Sequence, residues 1–198
     1  MNLNKKWIVI IAVVAVILIL VTLIISTYNG MPKYEESVSK SWADVESSYQ
    51  RRNDLIPNLV NTVKGVANFE QQTLVGVVEA RAKATSVTID PTKLNAASMQ
   101  QFQKAQDGLG SALSKLMVVV EKYPELKATQ NFLELQSQLE GTENRINVER
   151  NKFNEEAQKY NSFIRRFPNN MFAGMFGFEK KAYFEATAGA EKAPEVKF

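Results

Sequence analysis

The chain has 198 residues, 24 basic and 21 acidic, for a formal charge of +3, a length that suits one domain plus an anchor. Cysteine and histidine are both absent, which excludes disulfides, thiolate nucleophiles and thiolate or imidazole metal sites, and removes the commonest general base. Without Lys5 and Lys6, which precede a hydrophobic run, 22 basic side chains face 21 acidic ones of alternating sign, so the concentrated basic stripe of a nucleic-acid binder is missing and no nucleic-acid partner is expected.

Residues 7–25 read WIVIIAVVAVILILVTLII, with Thr22 the only polar member and fifteen Leu, Ile or Val. Nineteen helical residues span roughly 29 Å, close to the hydrocarbon thickness of a bilayer. Insertion of those side chains is favourable by up to several kcal/mol. Trp7 and Tyr28 bracket the run where interfacial aromatics belong. A cleaved signal peptide has a shorter apolar core and small residues at its cleavage site; the exit STYNGMPKY has no such triplet. The run therefore predicts an uncleaved membrane span over residues 7–28, behind a short tail, residues 1–6. Lys5 and Lys6 lie before it and Lys33 and Lys40 further beyond, among Glu35 and Glu36, so the positive-inside rule favours a cytoplasmic N-terminus and an extracytoplasmic domain.

Gly30 and Pro32 predict a break just outside the membrane. Tyr34, Val38, Trp42, Val45 and Tyr49 then recur at helical spacing. Asn53 and Asp54 read as a stop and N-cap, with Pro57 in the first turn of a second helix that carries Ile56, Leu59, Val60, Val63, Ala67, Leu74, Val77, Val78 and Ala84. Asp90-Pro91 marks a turn. A third helix holds Phe102, Leu109, Leu113, Leu116, Val120 and Tyr123, and Pro124 opens a fourth. There Leu139, Ile146, Phe153, Tyr160 and Phe167 lie seven apart, with Ala157 and Ile164 in the second seam. The expected fold is all-α: the transmembrane helix followed by an antiparallel up-and-down four-helix bundle over residues 33–167, with an aromatic tail over residues 168–198. An even number of antiparallel helices returns the chain to the membrane, so the tail is expected near the bilayer.

Three features are candidates for function. Asn144, Asn147, Asn151, Asn154, Gln158 and Asn161 form a polar stripe flanking the apolar seam of the fourth helix. Such amides either satisfy one another across a helix boundary or line a groove that binds a partner. Arg51, Arg52 and Asp54, at the expected first turn, suit ion pairs with carboxylates such as Glu143, contacts to helix-terminal carbonyls, or an anion at the next helix N-terminus. Phe172, Phe176, Phe178, Tyr183 and Phe184, with Met171, Met175, Lys180 and Lys181, either cap the open end of the bundle or lie in the membrane interface. The closing PEVKF reads as extended and suited to docking on a partner edge. Di-iron bundles need Glu-x-x-His pairs, so no metal or other cofactor is expected, and Glu155-Glu156 reads as a solvated pair.

The strings SWADVESSYQRRNDLIPNLVNTVKGVANFEQQTLVGVVEARAKA, EKYPELKATQNFLELQSQLEGTENRI, NEEAQKYN and RFP resemble the LemA family of bacterial membrane proteins. The resemblance runs from the anchor through YFE and extends to PEVKF. Phe153-Asn154 departs from it, standing where a Tyr-Asn pair is common, which loses a hydroxyl without disturbing the seam. The resemblance implies a bacterial single-pass protein with an up-and-down helical bundle and no assigned catalytic activity. Together with the missing residue types, it leads to the expectation of a non-enzymatic scaffold or adaptor in the bacterial cytoplasmic membrane, with a protein partner in the membrane or envelope. The alternative is a membrane-shaping or lipid-interface-binding protein.

Overall fold

A computed structural model describes residues 5–66 and 69–185, and among them every regular element is helical. The tail motif PEVKF and Ala67 lie outside the described residues. The first helix, α1, is a single element of 60 residues, Lys5–Lys64, roughly 90 Å long. It carries the apolar run into the domain without a linker, and none of that run is covered by protein.

This corrects two expectations, the break at Gly30 and Pro32 and the helix boundary at Asn53-Asp54. Gly30 serves close packing: a Cβ there would run into the ring of Phe163. Pro32 is exposed, and the carbonyl it leaves without a helical donor is that of Tyr28, one turn back at the edge of the span. Pro57 likewise orphans the carbonyl of Asn53. Nε of Arg81, on the next helix, donates to that oxygen at 2.9 Å. A side chain thus replaces the missing backbone donor, and α1 continues for two more turns.

The remaining helices are α2 (Gln71–Ser86), α3 (Ala96–Val120), the single turn α4 (Pro124–Lys127), α5 (Gln130–Arg165) and α6 (Asn169–Ala173). Asn95 caps α3 in a reciprocal box, accepting from the Ser98 N–H at 2.9 Å while Ser98 Oγ accepts from the Asn95 N–H at 3.2 Å. Asp90 caps the 3₁₀ turn Pro91–Lys93 before it. Pro124 opens α4 rather than the long helix, which begins at Gln130.

Helix α5 runs antiparallel along α1, since Arg52 meets Glu143, Trp42 meets Phe153 and Gly30 meets Phe163. Helix α2 packs on α3, and Phe102 of α3 stacks edge-on against Trp42 and Tyr49 of α1. The heptad residues Leu139, Ile146, Phe153 and Tyr160 are buried, whereas Phe167 is exposed because α5 has already ended. The core has two parts: one around Trp42, Phe102, Phe153 and Tyr160 towards the membrane, and a distal one around Leu59, Leu109, Leu116 and Phe132.

Candidate functional site

A polar layer lies between the two parts of the core. Arg52 is buried mid-helix in α1 rather than at a turn between two helices. Its Nη1 donates to Glu143 of α5 at 3.0 Å, and its Nη2 to the side-chain and backbone oxygens of Gln106 in α3 at 2.8 and 3.3 Å. Gln106 donates in turn to the Ala84 carbonyl in α2 at 3.3 Å. One guanidinium and one amide therefore connect all four long helices. Arg51 and Asp54 point outward and are exposed.

The amide stripe divides by role. Asn144, Asn147, Asn151 and Gln158 are exposed, whereas Asn154 is half-buried and Asn161 buried. These two grip the chain after α6. Asn161 Nδ2 donates to the Lys181 carbonyl, and its Oδ1 accepts from the Lys181 N–H, both at 2.9 Å. Asn154 treats Phe184 identically, at 3.0 and 2.8 Å. Seven helical residues advance about 10.5 Å and three extended residues about 10 Å. Asparagines seven apart on α5 thus stay in register with residues three apart on an antiparallel extended strap. Residues 178–185 form that strap, and each asparagine acts as a strand partner with one residue. The signal in the sequence was the heptad spacing of Asn154 and Asn161, which becomes meaningful only with the three-residue spacing of Lys181 and Phe184.

The strap closes the membrane-proximal core. Phe184 is buried against Trp42, Phe102 and Phe153, with ring centroids 5.9, 6.4 and 5.5 Å away. Lys181, expected at the membrane interface, is instead only 3% exposed. Its Nζ donates to Glu35 on α1 at 2.6 Å and to the Thr92 carbonyl at 2.7 Å, because a buried ammonium needs a charge partner and further acceptors. It also lies 5.5 Å from the ring centroid of Tyr160. Burial, followed by the charges of Glu35 and Glu179, holds the Tyr160 hydroxyl above its ordinary range. Lys180 is exposed and lies over Tyr183, 5.8 Å from the ring centroid.

Between α5 and the strap, residues 166–177 fold against the end of the span. Thr27 Oγ1 donates to Asn169 Oδ1 at 3.2 Å, and Asn169 Nδ2 to the Phe163 carbonyl at 2.9 Å. The Tyr28 ring meets Phe176 at 4.9 Å and Phe178 at 6.3 Å, and Phe176 in turn lies 6.5 Å from Phe172. Phe172 and Phe178 are half-buried, while Trp7, at the far end of the span, is exposed. Among the described residues no group of three or more Asp or Glu is placed to hold a metal ion.

An apolar span continuous with the core helix of an all-helical domain, and clamped at its exit by that domain's own tail, defines a membrane-anchored helical protein. The chain belongs to the LemA family, whose model matches residues 41–198. Magnetosome protein MamQ 1 of Paramagnetospirillum magneticum is 26% identical over 195 residues, covering 89% of this chain and 71% of the relative. MamQ of Magnetospirillum gryphiswaldense is 26% identical over 189 residues, covering 85% and 69%. Protein LemA of Metamycoplasma hominis is 23% identical over 159 residues, covering 80% and 69%. These likenesses assign no biochemical role.

Proposed function

We propose that the protein is a non-enzymatic scaffold or adaptor that presents an up-and-down bundle of four long helices at a fixed attitude to the bacterial cytoplasmic membrane. The observation that carries the proposal is α1, one helix from Lys5 to Lys64 that serves as both anchor and core element. A hinge-free helix transmits orientation and force between bilayer and domain, which a tethered enzyme does not require. The uncleaved span acts as a signal-anchor, with the N-terminus cytoplasmic and the domain, residues 33–167, on the envelope side. The exposed amides Asn144, Asn147, Asn151 and Gln158, with Arg51 and Asp54, offer a polar face to a protein partner.

The test is crosslinking and purification of the full chain with its anchor intact. A defined membrane or envelope protein should be recovered, and lost when Asn144, Asn147 and Asn151 are replaced by lysine. Recovery of the protein alone, across several detergents and crosslinkers, contradicts the proposal. The second reading, binding to the lipid interface, is favoured by the contacts of Phe176 and Phe178 with Tyr28 at the end of the span.

A further inference from the structure

The segment after α5 leaves apolar side chains uncovered where the domain meets the bilayer. Phe167 is 80% exposed, Met175 75%, Met171 62% and Phe176 42%. Their segment is bolted to α1 at Thr27 and Tyr28, by the Asn169 hydrogen bond and the edge-to-face Phe176 contact. These residues lie two and three positions beyond Ile25, the last residue of the apolar run, or about 3–5 Å along the helix. The headgroup layer on each side of the hydrocarbon core is roughly 5–8 Å thick. The register of α5 on α1 brings Arg165 and Arg166 to the same level, since Phe163 already packs on Gly30.

Charge at this end is also uneven. Lys33, Arg165, Arg166 and Lys180 are exposed and make no ion pair among the described residues. The exposed acids near them are Glu36 and Glu179, while Glu35 is engaged by Lys181. Apolar tips flanked by cations, held at headgroup depth beside a span, match what an anionic lipid surface recognises.

We infer that residues 165–176 form a second membrane contact, a foot that inserts Phe167, Met171, Met175 and Phe176 beside the anchor and uses Arg165 and Arg166 to gather anionic lipids. The inference rests on the lipid-interface reading and deepens it. Apart from the exposed Lys180 the strap takes no part, because Lys181 and Phe184 are committed to the core. With the foot planted, the domain meets the membrane at two points, and α1 is held against tilting about its exit.

The absence of cysteine permits a direct test on the full chain. Met175→Cys, labelled with an environment-sensitive fluorophore, is placed in nanodiscs of phosphatidylcholine and phosphatidylglycerol, either one brominated high on its acyl chains. The expected result is blue-shifted emission, quenched more strongly by brominated phosphatidylglycerol. That preference should fall in Arg165→Gln and in Arg166→Gln and be lost in the double variant, and should weaken with added salt. Emission as in water overturns the foot, as does shielded emission that no brominated lipid quenches, which would mean a protein covers it. Equal quenching by the two lipids overturns the selection of anionic lipid. Co-elution with the nanodisc reports the anchor in every arm, so loss of membrane association is distinguished from failure of the foot.

Discussion

Replacing Asn161 with alanine isolates the strap from the rest of the fold. The Lys181 N–H and carbonyl each lose their partner at 2.9 Å, and a buried polar group left unpaired costs about 1–3 kcal/mol. A strap that stays in place thus bears about 2–6 kcal/mol. Lifting away avoids that cost but withdraws Phe184 from the Trp42 cluster, worth about 1.5–3 kcal/mol if its burial were wholly lost, and separates Lys181 from Glu35. The closed strap is therefore destabilised by at least about 2 kcal/mol, roughly thirtyfold in exchange rate, and a strap that lifts away loses its protection outright. The assay is amide hydrogen exchange at Lys181, Ala182 and Phe184, whose N–H groups donate to Asn161 Oδ1, the Leu94 carbonyl and Asn154 Oδ1. Their protection should collapse together in Asn161→Ala, while amides of the distal core around Leu116 keep theirs. Asn147→Ala, an exposed amide one heptad from Asn154, is the control and should change nothing. Strap protection within twofold of the parent in Asn161→Ala refutes the account.

Arg81→Met should lower stability by about 1–3 kcal/mol by stripping the Asn53 carbonyl of its donor, and much less in a Pro57→Ala background, where the helix restores that bond; additive effects in chemical denaturation would sink the idea. Arg52→Met leaves Glu143 and Gln106 without their shared partner and should cost a similar amount, again about 1–3 kcal/mol, visible as a lowered denaturation midpoint. Gly30→Leu drives a side chain into Phe163 and should cost roughly 1–3 kcal/mol, read as a thermal shift; an unshifted melting curve would contradict the close approach. Burial raises the Glu46 carboxyl, opposed by the Trp42 indole, so the folded state binds that proton more tightly than the unfolded chain. Its contribution is present below the unfolded value and is lost as pH rises through the folded one. Glu46→Gln should therefore gain on the parent in thermal stability at about pH 7 and not at about pH 4; an equal difference at both would exclude that burial effect.

Helix content, the span and the buried seams were legible because each rests on local periodicity. Leu139, Ile146, Phe153 and Tyr160 announce their shared face by spacing alone. The limits of α1 were not legible, because Pro57 is tolerated only through Arg81, a residue on another helix whose position depends on the tertiary fold. Gly30 likewise reads as a breaker until Phe163 is seen against it. The amide stripe was visible as a stripe, but its division into two gripping asparagines and four exposed amides depends on where the strap runs. Lys181 looked like an interfacial lysine because its partner, Glu35, is distant in the chain. Arg165, Arg166 and Phe167 carried no warning, since a heptad count continues through the point where α5 stops.

The membrane span and the core helix of the domain are one uninterrupted helix. Spin labels on Leu18→Cys and Glu36→Cys, both on exposed positions, test it in nanodiscs by pulsed electron resonance. The two sites are five turns apart on one face, so their backbones should lie about 27 Å apart. A single narrow distance distribution near that value, label linkers included, is the predicted result. A broad, bimodal or markedly shorter distribution would place a hinge at Gly30 and Pro32 and contradict it.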